Sequence, residues 1–312
     1  MANKRIVFID VVRALAMLYI VGFWHLKDYL SPDIRDVLTF KGSNDITNIM
    51  LGTFMFISGM LLSKYKFENL KDVMSFLYKR IKRFYILYFI AALLFFLSGF
   101  IPDAKIFLTT ILGVSTYILP QPFTLWFISM LFSFYILTPF VGLLSKRLKI
   151  DSIIICFIVF VFMIFFNSQI SPIDTRFYYC FPAFFMGIRI GIEKENIFNA
   201  ACLLGYIPLY AVFIFLRYKN ISVYYLDLFC GILIFISICK LFSKILNKRA
   251  LLIFNYLSYA SMCMYFFHRL IYNFIKSHFA NHFSIPLALL ALIIVFVLSF
   301  AIQKTYDHLI KA

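Results

Sequence analysis

The chain has 312 residues, of which 63% are hydrophobic, 20% aromatic and only 14% charged, and its formal net charge is +16. A soluble domain cannot bury so much apolar surface, and apolar runs recur along the whole length, so a soluble globular protein is excluded. The sequence predicts an all-α fold, a polytopic membrane helical bundle that forms a single domain over residues 1–312.

About ten membrane-spanning helices can be drawn along the chain. Their predicted bounds are 6–29, 46–63, 84–100, 124–144, 152–170, 177–192, 198–216, 222–243, 251–275 and 285–306. The segments that this arrangement places in the cytoplasm hold 20 of the 30 Lys and Arg residues, and the outer segments hold eight. This bias predicts cytoplasmic N- and C-termini. It also explains the positive net charge, because Lys and Arg in the inner loops are attracted to anionic lipid headgroups. No nucleic-acid partner is therefore predicted.

Between the third and fourth spans, residues 104–119 form a shorter apolar segment that Pro120 ends. We predict either a surface helix or a re-entrant piece packed against protein. The chain shows no metal-ligand spacing, no glycine-rich phosphate loop and no esterase motif. No metal site and no permanently bound cofactor are therefore predicted.

The first span carries three ionisable side chains in an apolar stretch, Asp10, Arg13 and His25. Each costs at least a few kcal/mol at membrane depth, so such residues are functional candidates by default. Asp10 and Arg13 are three residues apart and can neutralise one another on one helix face. His25 lies roughly 18 Å farther along the axis. The structural alternative is an interhelical ion pair with an interfacial histidine.

Polar residues in later spans can reach the same depth as His25. The ninth span places His268 and Arg269 in its outer half, and the eighth span begins near Asp227. Asp227 could orient one of the two imidazoles, because a carboxylate on one ring nitrogen sets the basicity of the other. It could equally pair with Arg269 or Arg217, and His268 could be purely structural.

Arg80 and Arg83 lie where the second loop enters the third span. They are three residues apart, so both are predicted to project from one face of the helix start, and paired guanidinium groups suit a polyphosphate. Spacing alone favours ordinary membrane anchoring by positive charge. Elsewhere, Ser58-Gly59 in the second span predicts close helix packing. Trp126 opens the fourth span at the outer interface, where tryptophan is common.

Together these stretches resemble the acyltransferase 3 family of integral membrane O-acyltransferases. The resemblance covers nearly the whole chain and rests on IDVVRALAMLYIVGFWH, FMFISGML, the Arg-x-x-Arg at residues 80–83, TLWFISML and SYASMCMYFFHRLI. It implies transfer of an acyl group, commonly acetyl, from coenzyme A to a sugar hydroxyl. It also implies that His25 is catalytic and that Arg13, Arg80 and Arg83 are functional positions.

We therefore expect a multi-pass O-acyltransferase of the bacterial inner membrane. Its donor would be acyl-CoA, most simply acetyl-CoA, and its acceptor a glycan of the cell surface or a lipid-linked precursor. The expected site residues are His25, Arg13 and Asp10 for catalysis, Arg80 and Arg83 for the donor, and Trp126, Asp227 and His268 for the acceptor. The main alternative is a transporter or flippase that uses the buried Asp, Arg and His as a proton relay.

Two positions depart from the family pattern. Eleven residues separate Arg13 from His25, where the family usually has ten. Twelve steps of an α-helix rotate His25 away from the Arg13 face by roughly 120°. Because lipid exposure of either group is costly, we predict a π turn or a kink between about Val21 and His25, with Gly22 as the most permissive residue. Gly52 occupies a position where many members carry an aspartate.

Overall fold

The computed structural model describes residues 6–40, 42–118, 121–169, 173–191, 194–279 and 282–310. Within these ranges the regular secondary structure is helical, apart from one isolated bridge between Leu30 and Phe283. The predicted all-α class is confirmed. Residues 1–5 and 311–312, which include the predicted cytoplasmic ends, and Pro120 lie outside the described residues.

Two π segments interrupt the helices: the first π segment (Ile20–His25) follows α1, and the second π segment (Ile81–Tyr85) follows α4. A 3₁₀ turn (Leu26–Tyr29) follows the first. In chain order the α-helices are α1 (Val7–Tyr19), α2 (Pro32–Leu38), α3 (Ser43–Leu62), α4 (Leu70–Arg80), α5 (Ile86–Leu97), α6 (Ala104–Ile111), α7 (Leu125–Leu148), α8 (Ser152–Gln169), α9 (Phe177–Ile190), α10 (Ala200–Tyr218), α11 (Tyr224–Ile245), α12 (Lys248–Phe279) and α13 (Ile285–Leu309).

Eight helical stretches among the described residues are long and apolar enough to cross a membrane. They are Val7–Tyr29, α3, α7, α8, α10, α11, α12 and α13. The other two predicted spans coincide with shorter helices, α5 of 12 residues and α9 of 14 residues. The predicted polytopic bundle is thus confirmed, while the orientation of its ends stays a prediction from loop charge.

Large apolar side chains lie exposed on several of these helices. Phe157 and Phe165 on α8 are 65% and 60% exposed, and Leu204 on α10 is 72% exposed. Contiguous apolar surface of this kind is unfavourable in water and matches the hydrocarbon of a bilayer. The exposed faces therefore agree with a multi-pass membrane protein.

The chain folds into two compact units. The first unit comprises Met1–Ile57 and Glu193–Ala312, and the second unit comprises Ser58–Ile192. In the first unit, α12 has 32 residues and packs against both α1 and α13, while α1 also packs against α11. The single domain predicted over residues 1–312 is not tested by this division and stays a prediction.

In the second unit, the Ser58-Gly59 pair lies against α9. A Cβ atom at Gly59 would overlap the carbonyl oxygen of Phe184, so only glycine allows this approach. The predicted close packing is confirmed. Helix α6 lies within the short apolar segment and packs against α5 and α7. There the Tyr88 hydroxyl contacts the Thr110 carbonyl oxygen at 2.7 Å.

Candidate active site

The first π segment takes up the extra residue between Arg13 and His25. This irregularity confirms the π turn or kink predicted just before His25. A π turn holds more residues than an α turn, so each residue rotates the chain less, and His25 turns inward, where it is 8% exposed. Gly22 lies inside the segment, and a Cβ atom there would be 3.0 Å from Cδ2 of Leu292 on α13. The missing side chain lets α13 pack closely against the irregular turn.

One face of α12 meets Asp10, Arg13 and His25 of the first span. Its contributors are separated by three and seven residues, so they lie along a single helical stripe. The contacts are Ser258 Oγ to Asp10 Oδ1 at 2.7 Å, Arg13 Nη2 to Ser261 Oγ at 3.1 Å, and His268 Nε2 to His25 Nδ1 at 2.8 Å. Sequence reasoning did not identify the two serines, although their spacing to His268 within the quoted SYASMCMYFFHRLI motif was visible.

His25 and His268 form a buried pair with nearly parallel rings. Their ring planes differ by 8° and their centroids are 4.8 Å apart. His268 is fully buried, and its Nδ1 lies 3.0 Å from the carbonyl oxygens of both Met264 and Tyr265. The two imidazoles that the sequence placed at similar depth are therefore in direct contact.

Tyr272 supports the first π segment from α12. Its hydroxyl donates to the carbonyl oxygen of Val21 at 3.2 Å, and the side chain is fully buried. A carbonyl group without a donor costs several kcal/mol in a bilayer, so this bond stabilises the irregular turn. Tyr272 was missed at the sequence level, although it lies four residues beyond His268 on the same helix face.

Asp227 pairs with Arg217, one of the two arginine partners that the sequence left open. Arg217 Nη1 lies 2.8 Å from Asp227 Oδ2, and Arg217 Nη2 lies 2.6 Å from Asp45 Oδ2. In the described part of the chain, Asp227 makes no hydrogen bond to His25 or His268. Its predicted contact with the acceptor stays a prediction.

Arg80 and Arg83 lie in the second unit, at the entry to the second π segment. The Arg80 guanidinium carbon is 5.1–5.5 Å from the ring centroids of Tyr65, Phe76 and Tyr135, which is cation–π distance. Arg83 is exposed. Within the described ranges neither arginine pairs with a carboxylate. The two guanidinium groups thus differ, since Arg80 is held by aromatic rings and Arg83 faces outward.

Trp126 is the second residue of α7 and lies in a polar cluster of the second unit. The Arg176 guanidinium carbon lies 3.5 Å from its ring centroid. Arg176 also bonds Asp174 at 2.6 Å and Gln121 at 3.1 Å. Trp126 is 6% exposed, and its predicted contact with the acceptor stays a prediction.

Comparison with known proteins adds one finding to this geometry. A family model described as an acyltransferase domain matches residues 6–304. The match includes every predicted site residue in both units. No curated protein and no solved structure matches the chain.

Proposed function

This chain belongs to the acyltransferase 3 family and is a membrane enzyme of acyl transfer, and we propose that it is an O-acyltransferase of the bacterial inner membrane. Its proposed donor is acyl-CoA, with acetyl as the acyl group. Its proposed acceptor is a sugar hydroxyl of a surface polysaccharide or of a lipid-linked glycan precursor. The residues that carry the proposal lie in both units.

The observation that carries the proposal is the buried imidazole of His25, held by the first π segment against a second imidazole. A polar ring inside a membrane span is costly, and π segments tend to occur at functional sites. Histidine can serve acyl transfer in two ways, as a general base or as a covalent acyl carrier. Both routes need one ring nitrogen without a proton.

In direct transfer, His25 removes the proton of the acceptor hydroxyl while the hydroxyl oxygen attacks the thioester carbonyl carbon. The carbon–sulfur bond then breaks, and the leaving thiolate takes up the proton, so the products are an ester and free coenzyme A. In the covalent route, a nitrogen of His25 attacks the thioester carbonyl carbon, the carbon–sulfur bond breaks, and the leaving thiolate takes the proton of the imidazole ring to become the thiol. The acceptor hydroxyl then attacks the acyl-histidine, the carbon–nitrogen bond breaks, and the hydroxyl proton returns to the ring as the neutral imidazole is restored.

Arg13 and Asp10 lie on the same span as His25, nearer to its predicted cytoplasmic end. Asp10 joins α1 to α12 through Ser258, and Arg13 does so through Ser261. These contacts support a role in which Asp10 holds the helix pair together and Arg13 offers a positive charge near the path of the thioester.

The arginines at the start of the third span support donor binding. A guanidinium fork matches phosphate geometry, and no carboxylate of the described chain competes for Arg80 or Arg83. The rings around Arg80 restrict its side chain before a ligand arrives. The predicted orientation places both residues at the cytoplasmic face, where coenzyme A is available.

Acceptor binding is proposed for two outer residues, each within its own unit: Trp126 in the second unit and Asp227 in the first unit. Arg176 beside Trp126 and Arg217 beside Asp227 supply guanidinium donors, and the paired carboxylates supply acceptors. Sugar hydroxyls use both kinds of group. The groups present in each unit therefore support a polyhydroxylated or anionic acceptor.

The proposal is tested with radiolabelled acetyl-CoA and membrane vesicles that contain the protein. Wild-type protein should move label into glycan as an ester that mild base releases. His25→Ala should abolish this transfer, since general-base catalysis alone is typically worth 10²–10⁴-fold.

The matched control is His278→Ala, which changes an exposed histidine at the end of α12 and should retain activity. Purified protein that does not bind acetyl-CoA would overturn the proposal and favour the transporter alternative. The same holds if His25→Ala keeps more than about a tenth of the wild-type rate.

A further inference from the structure

We propose that His268 is a positioning residue that holds the proton of His25 on Nδ1 and leaves Nε2 of His25 as the reactive nitrogen. The use of that nitrogen rests on the proposed function. The position of the proton does not, because it follows from hydrogen bonding alone.

The first step concerns His268 itself. Its Nδ1 faces two carbonyl oxygens, those of Met264 and Tyr265, each at 3.0 Å. A carbonyl oxygen only accepts hydrogen bonds, so Nδ1 of His268 must carry a proton. The ring is fully buried in a membrane span, which favours its neutral form. In a neutral imidazole with Nδ1 protonated, Nε2 carries a lone pair and no proton.

The second step transfers this constraint to His25. Nε2 of His268 lies 2.8 Å from Nδ1 of His25, so the lone pair of His268 must accept a hydrogen from His25. The two ring planes are within 8° of parallel, and the 2.8 Å separation is hydrogen-bond distance. His25 therefore carries its proton on Nδ1. Its Nε2 has the free lone pair that a base or a nucleophile requires.

The opposite arrangement is unfavourable. A proton on Nε2 of a neutral His268 would leave the Nδ1 lone pair facing the carbonyl oxygens of Met264 and Tyr265. Nδ1 of His268 would then face two carbonyl oxygens with no hydrogen between them, and a buried polar group in a membrane needs a partner.

The pair also accounts for the proton that His25 gains during transfer. When Nε2 takes the hydroxyl proton, His25 becomes a cation whose Nδ1–H still donates to His268. The His268 ring is polarised in turn by the two carbonyl dipoles, so the positive charge is stabilised along the chain of hydrogen bonds. A carboxylate performs this role in many hydrolases. A neutral imidazole does so without placing an ion in the bilayer in the resting state.

Two substitutions separate positioning from mere packing. In His268→Gln the amide oxygen can occupy the place of Nε2 and accept from His25. In His268→Asn the shorter amide can still donate to the carbonyl oxygens. It has no acceptor atom at the position of Nε2, so it cannot accept a hydrogen bond from His25. We expect the glutamine variant to keep kcat within about tenfold and the asparagine variant to lose about a hundredfold or more, each with an unchanged KM for acetyl-CoA.

The direct readout is the protonation of each ring nitrogen, measured by NMR on purified protein labelled with ¹⁵N-histidine. The chain has five histidines, so single substitutions assign the signals. We expect His25 to show a protonated Nδ1 and an unprotonated Nε2 in the wild type and in His268→Gln, and to lose this pattern in His268→Asn. A proton on Nε2 of wild-type His25 would overturn the inference, even if the asparagine variant does not fold.

The two readouts fail independently. A protein with the expected tautomer that transfers no acyl group contradicts the proposed function and supports the placement of the proton. An active acyltransferase with the opposite tautomer contradicts the role of His268 alone.

Discussion

Changing the length of the first span tests the geometry on which the site depends. Deleting Gly22 leaves eleven steps between Arg13 and His25, and eleven steps of an α-helix return to within roughly 20° of the starting direction. The first π segment can then become a regular α-helix without moving either side chain to another face. Inserting an alanine after Gly22 makes thirteen steps, which rotate His25 by roughly 220° from Arg13 in an α-helix.

The expected rates follow from the contact between His25 and His268. The deletion preserves the 2.8 Å contact, so acyl transfer should stay within about tenfold of wild type. The insertion adds a second extra residue, and the first π segment takes up only one. His25 therefore turns away and loses its contact with His268. Loss of general-base catalysis should lower the rate about 10²–10⁴-fold, or about 2.7–5.4 kcal/mol at 1.36 kcal/mol per tenfold.

The assay compares transfer of label from acetyl-CoA with acetyl-CoA binding by the same preparations. Both variants should elute as monodisperse protein and bind acetyl-CoA, because Arg80 and Arg83 lie in the other unit. The reasoning would be refuted by a folded deletion variant without activity, or by an insertion variant as active as wild type.

The remaining predictions concern the donor arginines and the support of the π segment. Replacing Arg80 and Arg83 together by alanine should raise the Kd for acetyl-CoA at least about tenfold, with partial rescue by lysine, whereas Lys79→Ala should change little. If the Kd for acetyl-CoA does not change, the two arginines serve only to anchor the helix at the membrane surface. Tyr272→Phe should destabilise the fold by about 1–3 kcal/mol in a thermal unfolding assay, because the Val21 carbonyl loses the hydrogen bond from the tyrosine hydroxyl. Tyr256→Phe, at an exposed position of α12, is its control, and equal shifts would contradict the support role.

The first span explains why an insertion at a functional helix is tolerated. One extra residue displaces every later side chain of an α-helix by roughly 100°. The first π segment confines that displacement to six residues, and Tyr272 supplies a hydrogen bond within it. Asp10 and Arg13 before the segment, and His25 at its end, therefore all contact α12.

Properties that depend only on residues close together along the chain could be predicted from the sequence. The spans follow from apolar length, because the bilayer requires about 20 apolar residues per helix whatever lies beside it. The irregular turn before His25 follows from counting steps between two groups that both avoid lipid. The tight approach at Gly59 follows from a small residue inside a span. Each conclusion uses one helix and the solvent around it.

Tertiary structure alone decided which polar groups meet. Asp227 had four candidate partners, two histidines and two arginines, and the packing of α10 against α11 selects Arg217. His25 and His268 are 243 residues apart in the chain, and helical periodicity gives the face of each residue without naming the helix it meets. The proton on His25 depends on two carbonyl oxygens of α12. Every residue carries a carbonyl group, so only the folded position of a side chain shows which of them it contacts.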